Sequence, residues 1–174
     1  MKASSLTPML FAFFACAALP HTDTHPAIGD TVTSVQAPRV EREHRGESVE
    51  IPVPGKVTVV DFWMTFCEPC VEALPELEGI WSRVDKSEVA FVGVSVDPEE
   101  AVTENTLHET LSVKLTFPTV FDGKDAVLQT VYQLGGTVPA TFVLDKKGCI
   151  RFFFDGSEGD IDELERAIRL LAAE

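Results

Sequence analysis

Residues 57–70 read Val57-Thr58-Val59-Val60-Asp61-Phe62-Trp63-Met64-Thr65-Phe66-Cys67-Glu68-Pro69-Cys70. The first seven are mostly β-branched or aromatic, the composition of a central strand buried on both faces. Beyond the cysteines, Val71, Leu74, Leu77, Trp81 and Val84 recur at helical spacing, with Glu72, Glu76 and Glu78 off that face. A buried strand therefore runs into a C-x-x-C pair that opens a helix.

The same pattern continues downstream. Val89 to Val96 (VAFVGVSV) is a second buried strand, and Asp97-Pro98 opens a helix expected to reach Leu111. Val113 to Phe121 is a short strand region interrupted by Pro118. Lys124 to Leu134 is helical and is stopped by Gly135-Gly136. Ala140 to Leu144 and Cys149 to Phe154 are strands joined by the turn Asp145-Lys146-Lys147-Gly148. The last helix starts at Asp160, with Glu163 at capping-box spacing, and shows Ile161, Leu164, Ile168 and Leu171 on one face. Strands alternating with helices and ending in a hairpin predict an α/β fold, a mixed sheet covered on both faces by helices.

Upstream, Val35 to Glu41 and Ser48 to Val53 suggest a β-hairpin around His44-Arg45-Gly46-Glu47, ended by Pro52 and Pro54. Residues 21–34, polar with Pro, Thr and His, read as an exposed tether. Residues 1–20 carry a targeting pattern: Lys2, the apolar run Leu6 to Leu19, and the small residues Ala15-Cys16-Ala17. The run is short for a membrane span. Three readings stand: cleavage after Ala17, lipid anchoring on Cys16 as a lipoprotein, or an uncleaved anchor. Each places the domain, residues 35–174, in a periplasmic or otherwise extracytoplasmic location.

The chain has 174 residues, enough for one domain with a real core, and a formal net charge of −14. That charge excludes nucleic acid as a partner, because phosphate contacts need clustered Lys and Arg. A monomer is expected.

Chemistry concentrates in Cys67-Glu68-Pro69-Cys70. A helix N-terminus carries about half a positive charge and free N–H groups, and it favours a thiolate, the nucleophilic form of cysteine. Cys67 at the lip would attack a partner disulfide, and Cys70, one turn inside, would resolve the mixed disulfide. Pro69 stiffens the first turn without losing a needed N–H. Glu68 opposes the helix terminus by placing a carboxylate beside Cys67. Asp61, six residues before Cys67, would sit beneath the pair and could take the proton of Cys70; a hydrogen-bonded strand acid is the plainer alternative. No metal is expected, since Cys149 and the isolated His21, His25, His44 and His108 lack zinc-ligand spacing. An inert structural disulfide is the other simple reading of the pair. Cys149 is expected as a buried inert thiol.

VVDFWMTFCEPC, Pro75, and Gly136-Thr137-Val138-Pro139-Ala140-Thr141-Phe142 resemble the thioredoxin superfamily. More narrowly, residues 28–174 resemble the extracytoplasmic TlpA/ResA-like thiol–disulfide oxidoreductases, with their N-terminal hairpin and inserted helix. The resemblance implies a thioredoxin-like three-layer α/β/α fold and a redox-active Cys67–Cys70 disulfide with no other cofactor. It also implies a cis bond before Pro139, with that loop against the cysteines and the Val138 backbone placed to pair with an extended substrate strand. Phe66, Glu68 and Pro69 complete the expected substrate-binding rim. The implied activity is dithiol–disulfide exchange in the reducing direction. The substrate would be an oxidised exported protein, with cytochrome c maturation as one setting, and a membrane thiol carrier of the DsbD/CcdA kind would donate electrons. Two departures stand out: Ala73 where the family carries Glu, and Phe66 where it commonly has Trp.

Two other functions use a reactive cysteine on a similar scaffold. A thiol peroxidase needs Thr or Ser three residues before its reactive cysteine and Pro four before that; those positions hold Met64 and Val60. A copper chaperone would use thiolates with a further His, for which His108 is the candidate within the domain.

Overall fold

The computed structural model describes residues 25–156 and 160–174. Five strands form one sheet in the order β5-β4-β3-β6-β7: β3 (Val57–Trp63), β4 (Val89–Ser95), β5 (Thr119–Phe121), β6 (Ala140–Leu144) and β7 (Ile150–Phe154). β3, β4 and β5 run parallel, while β6 and β7 are antiparallel to their neighbours. A separate two-stranded hairpin, β1 (Val35–Pro38) with β2 (Ser48–Ile51), leans on the β5 edge through an Arg39–Val120 bridge.

Every residue of β3 and β4 is buried, as their unbroken apolar runs require. On one face, α1 (Glu68–Arg83) and α4 (Asp160–Ala172) pack Leu74, Leu77, Ile80, Leu164, Ile168 and Leu171 against Val59, Trp63, Phe91 and Phe152. On the other, Leu128 and Tyr132 around α3 (Val127–Val131), together with Ile51, cover Val60, Phe62, Val92 and Phe142. This is the expected three-layer thioredoxin-like fold.

The segment expected as an exposed tether is instead part of the fold from residue 25 onward. Ala27 is fully buried and Val32 nearly so. The backbone pairs with the start of β7 through Gly29 N–H to Ile150 O (2.9 Å), Ile150 N–H to Asp30 O (2.9 Å) and Val32 N–H to Gly148 O (2.9 Å). The His25 ring stacks near Phe142 and Phe153, with centroids 5.0 and 4.4 Å apart. The few apolar residues in a polar stretch were enough to plug the sheet, so the domain starts before residue 35. The targeting pattern of residues 1–20, with Cys16 and Ala17, lies outside the described residues.

The inserted helix is α2 (Glu100–Asn105), continued by one wide π turn (Thr106–Thr110), and so ends within a residue of the expected Leu111. Two other elements are shorter than expected. Residues 113–118 form no strand because Pro118 has no N–H and Thr116 gives its N–H to Glu78 Oε2 at 2.8 Å. The helix expected over 124–134 begins at Val127, where Asp122 receives the Leu128 and Gln129 N–H groups at 3.0 and 2.8 Å. Cys149 is buried, as expected.

Candidate functional site

The C-terminal end of β3 delivers Cys67 to the position its sequence implies. β3 ends at Trp63, a short loop follows, and Cys67 is the N-cap of α1. Its sulfur accepts the Cys70 N–H at 3.3 Å, so a donor of the first helical turn already points at it. Cys67 and Cys70 form a disulfide with Cα atoms 5.2 Å apart. The two sulfurs differ in access: Cys67 is half-buried, whereas Cys70 is only 1% exposed. The outer one is open to a partner and the inner one is held in reserve.

The approach loop is fixed from below by Asp97. This buried carboxylate accepts from the Thr65 N–H (2.9 Å) and hydroxyl (3.0 Å) through Oδ1, and from Ser95 (3.0 Å) and Thr103 (2.8 Å) through Oδ2. Phe66, next in the chain, is 75% exposed beside Cys67. Glu68 and Pro69 are exposed on the same lip, and Val138 and Pro139 are half-buried at the head of β6. The bond between Val138 and Pro139 is cis.

Asp61 lies under the pair in β3, opposite Thr141 of β6, whose hydroxyl donates to Asp61 Oδ1 at 2.7 Å. Burial pushes the Asp61 carboxyl up to about 6, with the Thr141 hydrogen bond pulling the other way. Asp61 and Cys70 share a cavity of about 500 Å³ with Pro139 and Thr141. Glu72 and Glu76 of α1 and Asp160 and Asp162 of α4 also line it. Ala73, in place of the family acid, lines it too, so acids one residue before and three after occupy the neighbouring wall.

The structure thus brings Cys67, Cys70, Asp61 and Pro139 into one site, with Phe66, Glu68 and Pro69 on its rim. His108 lines a different cleft, between the hairpin and the inserted helix, where its Nε2 accepts the Arg42 N–H at 3.3 Å. Among the described residues no cluster of His, Cys, Asp and Glu has the arrangement of a metal site. Thr141, Asp97 and Gly156 also border or brace the site, beyond the residues expected from the sequence. Of these, Thr141 carried a usable signal, because it follows Pro139 by two positions on a strand and so shares its face.

Residues 28–153 match the AhpC/TSA family. The chain is 30% identical over 135 residues to the thiol-disulfide oxidoreductase ResA of Geobacillus thermodenitrificans, a match covering 77% of this chain and 72% of that one. It is 30% identical over 106 residues to sporulation thiol-disulfide oxidoreductase A of Bacillus subtilis, covering 59% of this chain and 61% of the relative. The crystal structure of StoA from Bacillus subtilis superimposes with a TM-score of 0.64 at 27% identity, over 81% of this chain and 98% of that one. An outer and an inner sulfur at a helix N-terminus suit the thiol–disulfide chemistry that those relatives are named for. The chain belongs to the AhpC/TSA family, among its thioredoxin-fold thiol–disulfide oxidoreductases.

Proposed function

We propose that this protein is an extracytoplasmic reductase of disulfides in exported proteins, an apocytochrome c among the candidate substrates, recharged by a membrane thiol carrier of the DsbD/CcdA kind. The observation that carries the reading is the unequal access of the two sulfurs, Cys67 half-buried at the lip and Cys70 at 1% exposure. Reduced Cys67 attacks a substrate disulfide and forms a mixed disulfide, releasing one substrate thiolate. Cys70 gives its proton to Asp61, directly or through water, and attacks Cys67. The second substrate sulfur leaves with the electron pair. The substrate is reduced and the Cys67–Cys70 bond is formed. Phe66, Pro69 and the Val138–Pro139 loop supply an apolar rim for the substrate chain, whose backbone can pair beside Val138.

The extracytoplasmic setting rests on the targeting pattern of residues 1–20. No described helix is long and apolar enough to cross a membrane. The test is reduction of insulin disulfides by the protein with dithiothreitol, combined with the reduction potential of the pair. Turnover should disappear in Cys67→Ser, and the potential should be more reducing than the glutathione couple. A potential more oxidising than glutathione would overturn the reductant assignment.

A further inference from the structure

Asp61 and Thr141 are register partners across β3 and β6, and the Thr141 hydroxyl reaches Asp61 Oδ1 at 2.7 Å. Asp61 is 5% exposed, and among the described residues no other side chain or N–H donates to its carboxyl. Among the described residues, the titratable groups sharing its cavity are Cys70, Glu72 and Glu76 from α1 and Asp160 and Asp162 from α4, with no Lys, Arg or His in the lining. Each of those carboxylates, when charged, disfavours a charge on Asp61. Among the described side chains of the cavity lining, Thr141 is therefore the one that donates a hydrogen bond to the Asp61 carboxylate.

We propose that Thr141 is a positioning residue for the proton transfer that resolves the mixed disulfide: it occupies Oδ1 of Asp61 and leaves Oδ2 to receive the Cys70 proton in the cavity. The inference rests on the exchange reading of the Cys67–Cys70 pair. In the mixed disulfide, Cys67 Sγ is bonded to a substrate sulfur and Cys70 is a thiol. The Cys70 proton passes to Asp61 Oδ2, directly or through one water. Cys70 Sγ then bonds to Cys67 Sγ, the bond from Cys67 to the substrate breaks, and the substrate sulfur departs as thiolate. The two cysteines are oxidised by two electrons, the substrate gains them, and Asp61 later returns its proton to water. Without the hydroxyl, Asp61 would hold its proton to higher pH and would be an incompetent base over that range. Plain sheet packing at this position would be served as well by Val, which has the shape of Thr.

The experiment is stopped-flow reaction of the reduced full chain with a nitrothiobenzoate disulfide from pH 5 to 9. The first thiol released reports attack by Cys67, and the second reports resolution by Cys70. Thr141→Val should slow the second phase roughly threefold at pH 6 and leave it near wild type at pH 8. The first phase should be unchanged, and Thr141→Ser should restore the wild-type profile. In an Asp61→Asn background, Thr141→Val should have no further effect on the profile. An active wild type with an unshifted profile in folded Thr141→Val overturns the positioning role alone, as does a loss equal at every pH or a shift that persists without Asp61. A wild type that releases no thiol overturns the exchange reading, and the positioning role falls with it.

Discussion

Gly156 lies so close to Pro139 that a Cβ placed on it would stand 2.5 Å from the proline Cγ, and its φ is +85°. The loop after β7 therefore presses its bare backbone against the ring that borders Cys70's cavity. Only glycine fits, both for the contact and for the left-handed backbone. Gly156→Ala should displace the Val138–Pro139 loop and cost about 1–2 kcal/mol from backbone conformation alone. Urea unfolding should report the stability loss, and insulin reduction should show a raised KM with a smaller change in kcat.

The roles of the two sulfurs separate in single variants. Cys67→Ser should abolish disulfide reduction. Cys70→Ser should retain attack by Cys67 and accumulate mixed disulfides, visible as higher-mass adducts on a non-reducing gel that dithiothreitol dissolves. Equal adduct yields from the two variants would contradict the assignment.

Asp61 links stability to pH. Burial raises its folded-state value to about 6 from an ordinary 3.8. The folded protein then binds more protons than the unfolded chain between those values, so this group's contribution to stability falls as pH rises through that window. Below pH 4 there is no cost; above pH 6 the cost is full, on the order of 3 kcal/mol. Asp61→Asn should therefore raise Tm at pH 8 and leave it near wild type at pH 4, while slowing mixed-disulfide resolution. A Tm gain equal at both pH values would rule out a raised Asp61.

Asp97 should be costly to remove. Its carboxylate satisfies Thr65, Ser95 and Thr103 together, and Thr65 is two residues before Cys67. Asp97→Ala leaves those buried groups without their acceptor and should destabilise the protein by about 3 kcal/mol. Urea unfolding measures the loss, and the freed loop should also blunt attack by Cys67.

The packing of the N-terminal segment has its own test. Ala27 is fully buried, so Ala27→Asp should lower stability by about 2 kcal/mol or more. An exposed tether would tolerate that substitution without change in the urea midpoint.

Much of this was legible in the chain because periodicity and spacing act locally. The run Val57–Trp63 could be little else than a buried strand, and Cys67 and Cys70 one helical turn apart announced an outer and an inner sulfur. The parts that were hidden depend on contacts far apart in sequence. Asp97 meets Thr65 across 32 residues, and Thr141 meets Asp61 across 80; neither polar residue carries a local sign of its partner. Ala27 and Val32 were masked by polar neighbours, since a periodicity argument needs more apolar residues than a short plug supplies. The truncated strand before Thr119 failed because Glu78, on another element, claims the Thr116 N–H.

Alkylation of the fully reduced protein by iodoacetamide at pH 7, with the modified residue identified by mass spectrometry, shows whether the outer sulfur is the activated one. Cys67 should react first and faster than free cysteine, with Cys70 protected until the chain unfolds. Cys67 reacting no faster than free cysteine, or Cys70 reacting first, would contradict it.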